Sequence, residues 1–329
     1  MLNASVGTLN ELLLSLNLSL SNTFPTHYRE KEDQYPDFVH DKLRTEVGEF
    51  EYKKIYDHAY EMAYEIKANF MSDGFMANTY DIAEIAWTAS PAPDRDDRPS
   101  EHHKFTGVSD PNSDADIMIK TISGNFLGIS AKYGSIKTTT LRTPGASTIA
   151  KLLNIDNISL PVEKHNAYME TLGFTGSLRE RKEQYKKIRG SSLAKTAAQS
   201  MIKARTEICS GIHSKLKLKN SDELRNLTLS FIAPETVFPH YRTHTIVKNG
   251  SAVHKVYNIR NETDRTLSNY SVLYLHSLHN DTAYVTIYGK NDITDTEEPV
   301  IKYSAKNKSS PMMGWDGHIT APMLSKRKR

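Results

Sequence analysis

Hydrophobic positions between Gly48 and Phe70 recur with the period of an α-helix, which predicts one long amphipathic helix. Its most regular feature is a tyrosine at every fourth residue, at Tyr52, Tyr56, Tyr60 and Tyr64. A stripe of this kind usually faces a core, and we expect that here. A platform on which nucleic-acid bases stack is the alternative.

A period of two follows and predicts strands. Ile82–Thr88 alternates and is interpreted as a strand, with a helix as the alternative. Ala115–Thr121 and Phe126–Tyr133 are separated by the turn Ser123-Gly124-Asn125, so they are expected to form a hairpin. A short helix is expected over Ala146–Leu153.

The second half of the chain changes from a helical to a strand pattern near Ser221. Leu178–Lys219 is predicted to be helical, with 12 Lys/Arg against three Glu. The period then drops to two, with turns expected at Asn249-Gly250 and His279-Asn280-Asp281. The predicted strands are Thr228–Ile232, Ala252–Tyr257, Tyr270–Leu275 and Ala283–Tyr288.

At 329 residues the chain suits a core domain with large additions, or two domains. We expect residues 1–45 to form an arm or lightly packed leader, in which the apolar patch Leu12–Leu18 is a docking helix or strand. The other expected parts are a core at 46–175, a basic helical segment at 176–220 and a β-rich nucleic-acid-binding region at 221–329.

Composition excludes several classes of protein. Hydrophobic residues make up 38% and charged residues 25%, as in soluble globular proteins. The single cysteine, Cys209, excludes an intramolecular disulfide and any zinc site with several thiolates. Neither a secretory signal nor a membrane span is expected, which favours the cytoplasm.

The pair His240 and His244 has metal-ligand spacing for a helix, but its surroundings favour strand or loop and argue against zinc.

Charge is distributed unevenly, although the net charge is only +3. Residues 1–120 hold 11 Lys/Arg against 22 Asp/Glu, and the remainder holds 31 against 17. This asymmetry favours nucleic acid as the partner of the basic part, with mutual neutralisation as the alternative. The candidate contacts are Lys186, Lys187, Arg189, Lys203 and Arg205.

The hairpin carries the candidate chemistry. Hydrolysis of a phosphodiester at neutral pH needs an activated water and stabilisation of negative charge, both of which a divalent metal supplies. Hard cations such as Mg²⁺ take oxygen ligands, and a nearby lysine stabilises developing charge. Asp116 opens the first strand and Lys132 lies near the end of the second, so the ladder brings them close. The register, and hence the shared face, stays open by one residue.

The segments Ser113-Asp114-Ala115-Asp116-Ile117-Met118-Ile119 and Gly128-Ile129-Ser130-Ala131-Lys132-Tyr133-Gly134 together resemble the core of the PD-(D/E)XK nucleases. That superfamily includes restriction endonucleases, resolvases and phage-encoded nucleases. The resemblance implies an α/β fold with a restriction-endonuclease-like mixed sheet flanked by helices. A basic helical segment and a β-rich C-terminal region follow it here. A phage-encoded member would act in the host cytoplasm.

The resemblance also implies roles for individual residues. Asp116 matches the metal-binding aspartate and Lys132 the catalytic lysine, in an attack on DNA by a magnesium-bound water, with Mn²⁺ as an alternative ion. Ser130 departs from the pattern, because the position two before the lysine is normally acidic. The second carboxylate is then expected from Glu84, Glu49 or Asp114, in that order.

The departure at Ser130 supports a rival function. A non-catalytic nucleic-acid-binding protein, or a phage structural protein, would retain the same core as a scaffold. The sequence also leaves open RNA as the substrate and a homodimer as the assembly.

Overall fold

A computed structural model of the chain describes residues 2–28, 31–88, 99–134, 140–142, 146–248, 251–275, 284–307 and 315–325. The helices are α1 (Leu2–Leu18), α2 (Pro36–Val47), α3 (Glu49–Ser72), α4 (Glu101–Thr106), α5 (Ala146–Leu153), α6 (Leu160–Thr171), α7 (Leu178–Lys187), α8 (Ser192–Leu216), α9 (Ser221–Ile232), α10 (Ile259–Leu267) and α11 (Pro322–Ser325). The strands are β1 (Ile82–Trp87), β2 (Ile117–Thr121), β3 (Phe126–Tyr133), β4 (Thr140–Arg142), β5 (His240–Lys248), β6 (Ser251–Asn258), β7 (Tyr270–Leu275), β8 (Tyr284–Asn291), β9 (Thr296–Asn307) and β10 (Trp315–Thr320).

The chain divides into two compact units. The first comprises Met1–Ile136 and Pro234–Glu262, and the second Lys137–Ala233 and Thr263–Arg329. These boundaries differ from the expected ones. Strands β5 and β6, expected in the C-terminal region, belong to the first unit, whereas α5, expected in the core, belongs to the second.

The first unit is built on a five-stranded mixed sheet. Its order is β1-β2-β3-β5-β6, with β3 and β5 parallel and the other neighbours antiparallel. Apolar residues of α1 and α3 pack with those of the sheet in one buried core, and Phe105 of α4 packs in a smaller cluster with Met118 of β2. The α/β class, with a mixed sheet flanked by helices, is therefore confirmed.

Residues at the start of the chain are not a lightly packed arm. Five leucines of α1 are fully buried and belong to the main core of the first unit, where they pack with residues of α3 and the sheet. This helix is buried on nearly all sides, with Asn10 and Ser15 buried as well, as is typical of a helix inside a core, and burial of each leucine contributes about 1.5–3 kcal/mol. The leucines are Leu9, Leu12, Leu13, Leu14 and Leu18.

The tyrosine stripe of α3 faces the core only in part. Tyr60 is 64% exposed and Tyr64 is 67% exposed, which contradicts the expected burial of the whole stripe. A strict spacing of four drifts around a helix of 3.6 residues per turn, so the stripe leaves the core within four turns. The residues that α3 buries are Ile55, His58, Ala59, Met62, Ala63, Ile66 and Phe70.

The second unit is β-rich and contains one sheet, and α8 packs against strands β8 and β9 of that sheet. The sheet order is β4-β10-β9-β8-β7, and all neighbours are antiparallel. The strand predicted at Thr228–Ile232 is wrong, because this segment ends α9. A capping box of Asn220 and Glu223 starts that helix, and Leu224, Thr228 and Phe231 are buried at helical spacing.

The remaining predicted elements of this region are found with small shifts at their ends. The turns expected at 249–250 and 279–281 lie outside the described residues. In the part of the chain that the structure describes, none of the helices has both the length and the apolar character needed to cross a membrane.

Candidate active site

Asp116 and Lys132 meet in the structure. Asp116 immediately precedes β2, Lys132 lies near the end of β3, and the antiparallel register pairs Ile117 with Ile129. The Nζ of Lys132 lies 3.3 Å from Oδ2 of Asp116. The aspartate side chain is only 4% exposed, whereas that of the lysine is 38% exposed. The register that the sequence leaves open therefore brings the pair into contact, with the lysine accessible from solvent.

Three donors converge on one oxygen of the Asp116 carboxylate. Oδ2 accepts hydrogen bonds from the Ala131 backbone N–H at 2.9 Å, from Ser130 Oγ at 3.3 Å and from Lys132 Nζ at 3.3 Å. No donor among the described residues bonds to Oδ1. The carboxylate is thus fixed in orientation, and Oδ1 is left for another ligand. Ser130 supports Asp116 instead of supplying a second carboxylate.

Burial governs the electrostatics of this carboxylate. Desolvation raises the pKa of Asp116, while the charge of Lys132 and the Ala131 N–H lower it. The charge of Asp114 raises the pKa of Asp116 further. A cation bound at this point would relieve the cost of holding a buried negative charge.

Glu11 in α1 supplies a second carboxylate within electrostatic range of Asp116. Burial raises the pKa of Glu11 to about 8, with a further increase from the charge of Asp116 and a decrease from that of Lys132. The Nε1–H of Trp87, at the end of β1, donates to Glu11 Oε2 at 3.4 Å. The sequence offered one signal for this residue, since Glu11 is the single charged side chain in an otherwise leucine-rich helix.

The carboxylates expected to complete the site lie elsewhere. Glu84 pairs in register with Lys120, four residues along β2 from Asp116, or roughly 13 Å. Glu49 is paired with Arg44 at 2.9 Å, and both side chains are exposed. The charge of Asp116 acts on the pKa of Glu11, so Glu11 takes the place of Glu84 and Glu49 as our candidate for the second carboxylate.

Asp114, the third candidate, is held by β5. It lies 3.6 Å from Arg242 Nη2 and 3.7 Å from His240 Nδ1, and its side chain is 41% exposed. Among the described residues, no group of three or more His, Cys, Asp or Glu side chains is arranged to hold a metal ion. A metal here would depend on two carboxylates, with water or substrate as the other ligands.

Strand β5 extends the polar surroundings of the pair. The parallel register places Arg242 beside Ser130 and His244 beside Lys132. Burial lowers the pKa of His244 to about 4, helped by the positive charges of Arg242, Lys132 and Lys255. Nothing in the sequence predicts this neighbourhood, because β5 follows β3 only after a long intervening segment.

The histidines of β5 do not form a zinc pair. Four residues of a strand separate His240 from His244, which is roughly 13 Å, too far for one ion. His240 lies instead over Gly128, where a Cβ would meet its imidazole at 2.5 Å. A glycine at this position is what allows the histidine to pack on the strand.

The basic residues expected to contact DNA belong to α7, α8 and the segment between them. Lys187, Arg189 and Lys203 are exposed, and Lys186 forms an exposed ion pair with Glu183 at 2.7 Å. Arg205 differs, because it is half-buried and its Nε donates to the Ala305 carbonyl at 2.7 Å. Arg205 therefore holds α8 to β9, and we give it a structural role in place of the expected phosphate contact.

No protein-family model matches the chain, and no curated protein matches it. The fold is similar to the crystal structure of restriction endonuclease MspI in complex with its cognate DNA, with a TM-score of 0.34 and 10% sequence identity. The similarity covers 88% of this chain and 94% of that one. So distant a similarity assigns no function to individual residues.

Proposed function

We propose that this chain is a metal-dependent endonuclease that hydrolyses phosphodiester bonds of DNA, with Mg²⁺ as its ion and Mn²⁺ as a substitute. The observation that carries the proposal is the 3.3 Å contact of Lys132 Nζ with the buried Asp116 carboxylate, within electrostatic range of the second carboxylate, that of Glu11. A cytoplasmic location and a homodimer stay predictions, and RNA is the alternative substrate.

The residues present fit a hard divalent cation. Asp116 and Glu11 both carry pKa values raised by burial, so each carboxylate gains from a positive charge placed between them. All the donor atoms offered are oxygens, as Mg²⁺ requires, and Mg²⁺ commonly takes only one or two carboxylates together with water and substrate phosphate. Asp116 and Glu11 would hold the ion, and Glu11 would lose its proton on binding.

The side chains around the ion orient the two carboxylates and stabilise charge on the phosphate. The ion, when bound, supplies acidification of a water and neutralisation of phosphate charge. Ser130 and the Ala131 N–H orient the Asp116 carboxylate, and Trp87 orients Glu11. Lys132 is the more exposed member of the Asp116–Lys132 pair. It places a positive charge and a hydrogen-bond donor where negative charge develops on the phosphate.

Substrate binding is assigned to exposed cations of the second unit. Leu178–Lys219 holds 12 Lys/Arg against three Glu, and nucleic-acid backbones attract such a surface without reading sequence. We assign phosphate contacts to Lys186, Lys187, Arg189 and Lys203.

A second candidate function rests on Ser130, which stands where the nuclease pattern has an acidic residue. In that alternative the chain binds nucleic acid or serves as a phage structural protein, and the Asp116–Lys132 contact is only a structural ion pair. Such a protein would bind DNA but leave it intact with every divalent ion.

Cleavage of supercoiled plasmid decides between the two. We expect relaxed or linear products with Mg²⁺ or Mn²⁺ and none with EDTA. Glu11→Gln, Asp116→Asn and Lys132→Ala should each abolish the products, while Glu84→Gln, a matched change outside the site, should cleave like the parent. A parent that never cleaves, or an Asp116→Asn variant that cleaves normally, contradicts the nuclease proposal.

A further inference from the structure

Beyond Lys132, the same face of the sheet carries basic side chains that the hydrolytic step does not use. The register pairs Lys132 of β3 with His244 of β5, and His244 with Lys255 of β6. Residues paired in register point to the same side of a sheet. Lys132, His244 and Lys255 therefore form one row across three strands, spanning roughly 10 Å.

This row lies on the sheet face opposite α3. On β6 the alternate residues His254 and Val256 face α3, where His254 bonds to Glu61 at 2.8 Å and Val256 packs on the core. Lys255 points the other way and is exposed, without an ion-pair partner among the described residues. The accessible ends of the row are thus two lysines, one of them already at the candidate active site.

The middle of the row holds an unsatisfied polar atom. His244 is 5% exposed, and its Nε2 has no hydrogen-bond partner among the described residues. Its ring packs edge-on against Tyr257, with the centroids 6.3 Å apart. A neutral imidazole can lie between two lysines without adding to their repulsion, and it still offers an N–H to an anion.

We propose that His244 and Lys255 form a second phosphate site, which binds a backbone phosphate next to the scissile one at Lys132. The inference rests on the proposed function, because it takes the substrate to be a nucleic-acid strand whose scissile phosphate lies at Asp116 and Lys132. Lys255 supplies the positive charge of the site, and His244 lies beneath it as a donor. The site positions the strand, and Lys255 takes no part in bond cleavage.

The test measures binding of a fluorescent DNA duplex in EDTA, where cleavage does not interfere. Lys255→Ala should weaken binding three- to tenfold and lower the log–log salt slope by roughly 0.9. Lys53→Ala removes an exposed lysine of α3, on the opposite side of the sheet, and should change neither quantity. His244→Phe keeps the ring packed on Tyr257 and should also weaken binding, without lowering the melting temperature.

Duplexes with one methylphosphonate identify the phosphate involved. At a single position beside the scissile bond, the uncharged linkage should weaken binding of the parent as much as Lys255→Ala does. The variant should then bind that duplex no more weakly than the unmodified one. If Lys255→Ala behaves like Lys53→Ala, or if its effect adds to that of every methylphosphonate, the site is overturned.

These outcomes separate the two proposals. A parent that cleaves plasmid but is indifferent to Lys255→Ala overturns the phosphate site and leaves the nuclease intact. A parent that shows the Lys255 effect on binding but never cleaves supports the phosphate site and overturns the nuclease.

Discussion

The charge of Asp116 raises the pKa of Glu11, adding to the larger effect of burial on that carboxyl group. Two desolvated acids within electrostatic range of each other repel when both are ionised, so the folded chain without a cation keeps protons that free carboxylates release. Lys132 offsets only part of this repulsion. These two carboxylates therefore lower the stability of the folded chain, and a bound cation would restore it.

Glu11→Gln should raise the melting temperature in EDTA. The folded pKa of about 8 lies above the ordinary 4.5, so the unfolded chain releases a proton that the folded chain retains, and stability falls as pH rises from 4.5 to 8. Glu11→Gln has no proton to lose at this position, so its stability does not fall in this way. Its melting temperature should therefore exceed that of the parent by a margin that grows from pH 4.5 to 8. Scanning fluorimetry at pH 5, 6.5 and 8 measures it, with Glu84→Gln as the control. A variant less stable than the parent at pH 8 contradicts the assignment.

Divalent ions should stabilise the parent and not its carboxylate variants. A ligand that binds only the folded state adds about 2.7 kcal/mol at a hundred times its Kd. Mg²⁺ or Mn²⁺ should therefore raise the melting temperature of the parent and of Glu84→Gln at pH 7.5. The rise should disappear in Glu11→Gln and in Asp116→Asn. An equal rise in all four proteins would show that the ion binds at another place.

Asp116→Asn and Lys132→Ala should act on the same transition state. Removal of one preorganised electrostatic contact costs on the order of 10² to 10³ in rate, or about 3–4 kcal/mol. The double variant should be scarcely slower than either single one. Single-turnover cleavage with Mn²⁺ provides the rates, and duplex binding in EDTA shows that each variant is folded and binds. Rate losses that multiply would separate the two residues functionally.

Exposed cations of the basic helices should behave differently from Arg205, which bonds to a backbone carbonyl. Replacing Lys186, Lys187 and Arg189 with Ala should lower the log–log salt slope of DNA binding by roughly 0.9 for each lost phosphate contact. Arg205→Ala should instead lower stability by about 1–3 kcal/mol, because the Ala305 carbonyl loses its donor. Lys203→Ala, on the same helix and exposed, is the control for stability. An unchanged salt slope in the triple variant would assign those residues to a merely solvated face.

Cys209→Ser should leave cleavage unchanged. Burial raises the pKa of the Cys209 thiol to about 11, so the thiolate needed for nucleophilic attack is scarce at neutral pH. Native protein should likewise resist iodoacetamide until it is unfolded. Loss of turnover in a folded serine variant would argue for thiol chemistry and against hydrolysis at Asp116.

The sequence predicted the parts of the site that are local in the chain. Asp116, Ser130 and Lys132 lie within one hairpin, whose alternating strands and glycine turn follow from short-range preferences. Glu11 escaped prediction because only tertiary packing brings α1 to that hairpin. Glu84 is close to the hairpin in sequence, but strand geometry places it too far along the ladder.

Residues that only tertiary structure brings to the site were missed for the same physical reason. Parallel pairing of β3 with β5 leaves no local mark, so neither His244 nor Arg242 could be assigned to the site. Arg205 follows the pattern of its basic neighbours, and only its contact with Ala305 reveals a structural role. Charge counts find the basic segment but do not tell a solvated cation from one committed to a backbone carbonyl.

The sheet order has a consequence for the timing of synthesis. A ribosome delivers β1, β2 and β3 long before β5, so in the growing chain β3 ends the sheet with an unpaired main chain. Asp116 and Lys132 then emerge without Arg242 and His244, the neighbours that later bury one side of them. A chain interrupted anywhere in the intervening segment never acquires them. Translation must therefore pass β5 before Arg242 and His244 can join the centre.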